Sequence, residues 1–394
     1  MSVLPRMSRR HASSSPVTSP LLSSGLGSSL ARICGITTLL LGLLVLGLPQ
    51  RVVGQCTSTG SGNWGDGSTW TSCDGDSVPD ANDDVVIEAG HIVTVQTQQE
   101  ANNVTLRQPS STYGDTVINI DNGNSTSGDL TINGFLKLES GSLWALQNSP
   151  GGPATVFGDI TGSGSIISDA NGGTLFLEGT NGNQVLSVTG NDGVLGNVET
   201  AADLTLQLGT DITVENLVAS GTPGSSGLTV ADNTGSGTKL TVNGSNPDIK
   251  GNLTTNSNVT FSLATTLPIA GNFSNNGTFT TTSGTVIFDG GGAQQVTGSF
   301  GSSNAFYDVE VNGQNTDVTF ATSVQIDNSL TLDAGNSASS SDPTLTLQNN
   351  LDVNGPLTVN DGAELDLYDE NASTPSGGTL NLANSLTLDG SLIP

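Results

Sequence analysis

The stretch Thr344–Asn360, TLTLQNNLDVNGPLTVN, decides the fold. Its apolar residues form three pairs, Leu345/Leu347, Leu351/Val353 and Leu357/Val359, each written apolar-x-apolar, with pair starts six residues apart. Alternation at i and i+2 places both side chains of a pair on one side of a short pleated strand. Asn349-Asn350 and Asn354-Gly355, between the pairs, read as corners, because Asn and Gly accept left-handed backbone and stacked amides can hydrogen-bond along an axis. An amphipathic helix repeats at i, i+3, i+4 and i+7 and does not produce this spacing. A unit of this kind cannot bury its apolar side alone, so it predicts neighbours stacked above and below, as in a solenoid.

The same spacing returns elsewhere. Val318, Phe320, Val324, Ile326, Leu330 and Leu332 repeat it in full, while Leu380, Leu382, Leu386, Leu388 and Leu204, Leu206, Ile212 repeat it in part. The intervals between blocks are unequal, which indicates irregular coils carrying loops. The expected fold is all-β: a right-handed parallel β-helix or β-solenoid with irregular coils and an N-terminal cap after a signal peptide. A run of antiparallel hairpin repeats is the alternative, since local periodicity does not separate the two.

Hydrophobic residues are only 34% of the chain, but they fall in regular pairs, so the chain reads as ordered and not as low-complexity disorder. Helical spacing is interrupted almost everywhere after the N-terminal segment by Gly, Asn, Ser and Thr. Arg6, Arg9, Arg10 and Arg32 precede an apolar run from Ile33 to Leu48, followed by Val52-Val53-Gly54. That run is short for a membrane span of about 20 residues and suits a signal peptide, with an uncleaved anchor as the other reading. The expected organisation is therefore 1–54 signal peptide, 55–100 N-terminal capping segment and 101–394 β-helix repeat region. No long apolar run follows, so no transmembrane segment is expected in the mature chain.

Five of the nine basic residues precede position 55, whereas all 36 acidic residues follow it, leaving Arg107, Lys137, Lys239 and Lys250 as the only cations of a strongly acidic mature chain. Such a surface repels phosphate backbones and excludes nucleic acid as a partner. It suits a salt-rich setting or bound divalent cations. Cys34 lies in the leader, and in an exported chain Cys56 and Cys73 can close one disulfide that staples the N-terminal end. Zinc would need more ligands than these two cysteines and His91, the only histidine after the leader.

Two segments carry a resemblance. Gly62-Asn63-Trp64, Trp70, Val78-Pro79, Asp83-Asp84-Val85-Val86-Ile87 and Gly90-His91-Ile92-Val93-Thr94-Val95 resemble the opening of many secreted bacterial surface proteins and are similar to G8-type domains, Gly-rich all-β modules of extracellular proteins. Gly271-Asn272-Phe273, Gly284-Thr285-Val286-Ile287-Phe288, Gly292-Ala293-Gln294-Gln295-Val296, Phe306-Tyr307-Asp308-Val309-Glu310-Val311 and Ser329-Leu330-Thr331-Leu332 resemble the repeats of large secreted, adhesin-like β-helix proteins of gliding and related bacteria. Those proteins usually carry C-terminal secretion and anchoring modules, and the sequence given reaches Pro394 without one, which reads as a truncated product or one exported by another route. The resemblance implies a secreted or outer-surface location and brings no catalytic residue with it.

No residues converge on chemistry at this level. There is no G-x-S-x-G elbow and no phosphate-cradling loop ending in lysine, and His91 reads as a polar residue at a strand entrance. β-Helices can host glycosidases, which need two acids across a sugar, and Asp80/Asp83/Asp84, Asp115/Asp121/Asp129 and Asp366/Asp369/Glu370 are the clusters available. In so acidic a chain such clusters arise from composition. Trp64 and Trp70 read as aromatics closing the end of the stack, with a ligand platform as the sharper alternative, and Trp144, Tyr113, Tyr307 and Tyr368 are scattered. Catalytic and cofactor-binding residues are expected to be none. Ca2+ is the cation that acidic turns suit, although no motif specifies its ligands. The expected function is a secreted or cell-surface structural, adhesion-type repeat protein without catalytic activity, meeting glycans or other surface molecules; a glycoside hydrolase or lyase on the same scaffold is the alternative.

Overall fold

The three apolar pairs of Thr344–Asn360 are three strands of a single coil: Thr344–Leu347, Leu351–Val353 and Leu357–Val359. All six apolar side chains point inward and are at most 1% exposed. In this computed structural model, which describes residues 54–109, 116–120, 128–146, 152–168, 173–190, 194–334, 343–369 and 376–394, that coil is one layer of a parallel β-helix. The signal-peptide reading falls on residues 1–53, outside the described residues.

Three faces run along the stack. The first is a sheet of 16 strands that includes Asp84–Ile87, Asn103–Leu106, Leu136–Leu138, Ala293–Gly298, Asp317–Phe320 and Thr344–Leu347. Its ladder is parallel throughout except at one end, where Trp70–Thr71 lies antiparallel on Gln55–Ser58. The second face begins with Gly62–Asn63, Ile92–Val95, Val117–Ile120, Leu143–Ala145 and Ser165–Ile167. The third begins with Gln99–Ala101, Leu130–Ile132 and Ala154–Val156. Residues 55–100 thus already supply strands to all three faces. Antiparallel hairpin repeats are excluded over the described residues, where the only other antiparallel strand pair is Tyr368–Asp369 with Ser376–Gly377. Among those residues no helix is long and apolar enough to cross a membrane.

Further along, the corner between the second and third faces disappears in some coils. Ile212–Ala219 is one strand whose start pairs with Thr238–Val242 and whose end pairs with Asp248–Ile249. Val324–Asp333 likewise pairs with both Leu351–Val353 and Leu357–Val359. The two ladders therefore merge and branch; no pairing joins Leu386–Leu388 back to Gln99–Ala101, so they do not form a closed barrel. At this corner Asp327-Asn328-Ser329 faces Asn354-Gly355-Pro356 one coil on. Pro356 has no N–H for the ladder, so it breaks the strand where Ser329 continues it. Gly355 is required there, because a Cβ would lie 1.4 Å from the Asn328 carbonyl oxygen.

The recurring sequence blocks are coil-on-coil partners. Val318 opposes Leu345, Val324 opposes Leu351 and Leu330 opposes Leu357. Leu380–Leu382 and Leu386–Leu388 differ from the register their spacing suggests. They stack on Leu351–Val353 and Leu357–Val359, on the second and third faces, because the preceding first-face strand, Glu364–Asp366, carries a single inward Leu365 and so does not stand out in the sequence.

Inside, Phe261, Phe273, Phe279, Phe288, Phe300, Phe306 and Phe320 form a continuous aromatic segment of the core. Polar residues also enter at corners. Gln294, 3% exposed, donates through Nε2 to the carbonyls of Ile269 at 2.8 Å and Gly271 at 2.7 Å, and accepts the Gly290 N–H at 3.1 Å. Gln184 does the same for Val156 and Gly158 in another coil. Replacing Gln294 by Leu keeps the volume and removes the side-chain partner of three buried backbone groups, of which the Ile269 carbonyl keeps only a long 3.4 Å bond from the Asp289 N–H, so a loss of about 2 kcal/mol is expected in urea unfolding. A loss below about 0.5 kcal/mol would show that those groups find other partners.

Candidate functional site

Outward positions of the first face carry the candidate site. Register puts Gln55, Asp84 and Asn103 in one outward column along the helix axis, and Val86, Thr105 and Lys137 in the next. Phe135, just before inward Leu136, continues the first column beside Asn103. These side chains, with Arg107, line a shallow groove of about 260 Å³. Strand alternation alone aims them outward, and stacking at about 4.8 Å per strand brings together residues far apart in the chain.

Asn103 organises the middle of the groove. Its Nδ2 donates to Asp84 Oδ1 at 2.7 Å, and its Oδ1 accepts the Phe135 N–H at 2.9 Å. Asn102 Nδ2 also donates to Asp84 Oδ1, at 2.9 Å. Phe135 stands out as an aromatic ring 42% exposed. At the edge, Glu139 Oε1 lies 3.2 Å from Arg107 Nη1 and 3.5 Å from Lys137 Nζ, and the Gln108 N–H donates to Glu139 Oε2 at 3.1 Å. Partial burial opposes the Glu139 charge, but the Gln108 N–H, Arg107 and Lys137 outweigh it and hold the carboxyl below its usual range. A lowered carboxyl contributes stability above its unfolded value, lost as pH falls through the folded one, so this cluster persists through the neutral range.

The disulfide candidates Cys56 and Cys73 are bonded, with Cα atoms 4.3 Å apart. Asp83 brings an oxygen close to both sulfurs, and among the described residues these form the one group of three potential metal-ligating side chains within 4.8 Å. The sulfurs are consumed by their bond, so no thiolate is offered, and Asp83 Oδ2 accepts the Asp80 N–H at 3.0 Å. Of the acidic clusters only Asp80/Asp83/Asp84 is fully described, and its carboxylates do not converge on one site. Asp83 is buried while Asp84 faces the groove, Asp129 is partnered, and Asp366 accepts the Tyr368 N–H at 2.8 Å. Asp115, Asp121, Tyr113 and Glu370, and the Asp369 side chain, lie outside the described residues.

His91 Nδ1 shares a 2.7 Å hydrogen bond with Ser58 Oγ, which also accepts the Glu88 N–H at 2.9 Å. Ser58 is 3% exposed, so the pair ties one coil to the next and presents no nucleophile to a substrate. Trp64 and Trp70 are buried edge to face, centroids 5.1 Å apart, with Trp70 Nε1 donating to the Trp64 carbonyl at 2.7 Å. They fill the first layers and are not a ligand platform. Trp144 is also buried, and Tyr307 is half-buried. Sequence reading passed over Phe135 and the groove. The available signal was an aromatic outside the apolar-x-apolar register, two residues from one of four scarce cations.

No protein-family model, curated protein or solved structure matches this chain.

Proposed function

We propose that this chain is a secreted or cell-surface β-helix of the structural, adhesion type, which binds a glycan or other surface molecule along the outer side of its first face and has no catalytic activity. The observation that carries this reading is the groove itself. It presents an exposed ring, amides and an ion cluster, the groups of carbohydrate recognition, while its carboxylates are occupied: Asp84 by the Asn102 and Asn103 amides, Glu139 by Arg107 and Lys137. General acid–base cleavage of a glycoside needs two acids placed either side of the bond, one free to give a proton. The apolar leader and the resemblance of residues 60–95 and 269–332 to secreted surface proteins support the location.

A panel of soluble glycans tests the reading. Saturable binding without chain cleavage is the expected result. Product formation that disappears in Asp84→Asn would replace this reading with a carbohydrate-active enzyme.

A further inference from the structure

The cations point to a ligand class. In the chain after residue 54 only Arg107, Lys137, Lys239 and Lys250 oppose 36 acidic residues, yet two of the four line the same groove. Both approach a single oxygen of Glu139, and their side chains remain 46% and 51% exposed. Guanidinium has five N–H donors and ammonium three, so most of their donors face solvent; Arg107, Lys137 and Glu139 together carry one positive charge at this edge of the groove, while the Asp84 carboxylate lies on the other column and is occupied by the Asn102 and Asn103 amides. Lys137 and Phe135 are alternate residues at one strand start and project on the same outward side, the cation one step from the exposed ring. A pyranose laid on Phe135 places its ring substituents beside those donors.

On the reading that this groove binds glycans, we infer that its ligand is an anionic polysaccharide, lying along the helix axis with a sugar ring against Phe135 and a carboxylate or sulfate on Arg107 and Lys137. A neutral glycan would need the ring and the amides but not the two cations. The acidic surface around it repels a polyanion, which favours attachment at this cationic edge. Carboxylate and sulfate share the chemistry of the site, and Arg107 presents a planar fork suited to either.

The test measures binding of the full chain to polygalacturonate, dextran sulfate and unmodified dextran. Variants are the Arg107→Gln/Lys137→Gln pair, Phe135→Ser and, as a control distant in sequence, the Lys239→Gln/Lys250→Gln pair. All positions are solvent-facing, and circular dichroism with thermal melting verifies that each variant folds. The expected result is binding to at least one anionic polymer, weakened by salt and by at least about tenfold in the groove-cation pair and in Phe135→Ser, and unchanged in the control pair. Equal loss in the control pair, or full affinity in the groove-cation pair, overturns the inference. Dextran binding that depends on Phe135 but not on the cations overturns the anionic assignment and leaves the adhesion reading standing. Binding to none of the three overturns the assignment, and the wider glycan panel then decides the parent reading separately.

Discussion

Leu351→Asp is expected to release the coils nearest the C-terminal side while the N-terminal coils stay folded. Leu351 is fully buried, with Val324 and Leu380 as its ladder neighbours on the two sides. The substitution forfeits roughly 1.5–3 kcal/mol of leucine burial. It also places in the core a carboxylate with no partner, which costs several kcal/mol or forces protonation. A total of about 4 kcal/mol or more is expected. In a stack each coil is held mainly by its immediate neighbours, so the damage stays local. Hydrogen exchange should show protection lost around residues 324–393 and kept around 84–200. Thr358→Asp is the matched control: it adds the same charge to the same coil, but Thr358 points outward between Thr331 and Thr387. It should shift stability by no more than about 0.5 kcal/mol. Equal effects at the two positions would refute the assigned inward register.

The second large effect belongs to the aromatic segment. Phe306 is completely buried, and its ring centroid lies 4.6 Å from Phe300, 5.2 Å from Phe279, 6.1 Å from Phe273 and 6.4 Å from Phe288. Those rings come from several successive coils, so Phe306→Ala opens a cavity whose walls are held by strands that cannot collapse inward. The expected loss is about 3–5 kcal/mol in denaturant unfolding. Phe306→Leu should lose less, because it retains part of the volume but not the ring contacts. A loss below about 1 kcal/mol for Ala would mean that neighbouring rings repack into the space.

How much of this was legible in the sequence follows from what each feature depends on. Apolar-x-apolar pairs are local, so the three strands of Thr344–Asn360, and the stacking of the Val318 block on the Leu345 block, were readable at once. The face occupied by Leu380–Leu388 depended on counting a strand that holds only Leu365, and the spacing alone placed it one face too early. Gln184 and Gln294 occupy inward positions of the first-face register, where Leu206 and Val318 are their ladder partners, but as polar residues they read as surface. Merged corners, as in Ile212–Ala219 and Val324–Asp333, carry no residue-level signal that separates them from the broken corners of the neighbouring coils. The groove was the least legible feature, because Gln55, Asp84, Asn103 and Phe135 are unremarkable singly and become neighbours only through stacking.

The identical placement of the Val318 and Leu345 blocks has a consequence for how such a molecule can change size. Excising residues 318–344 would join Asp317 directly to Leu345, the residue that occupies the same position as Val318 one coil on. Every side chain beyond the junction would keep its inward or outward aim, whereas removing one residue from a strand inverts the rest of that strand. Reach can therefore be lengthened or shortened in whole layers without altering the cross-section. The groove sits on the early strands of the first face, and the strands after Leu136–Leu138 extend that face by roughly 50 Å at about 4.8 Å each. In a surface protein those layers would act as a spacer, setting how far the groove stands from whatever holds the other end.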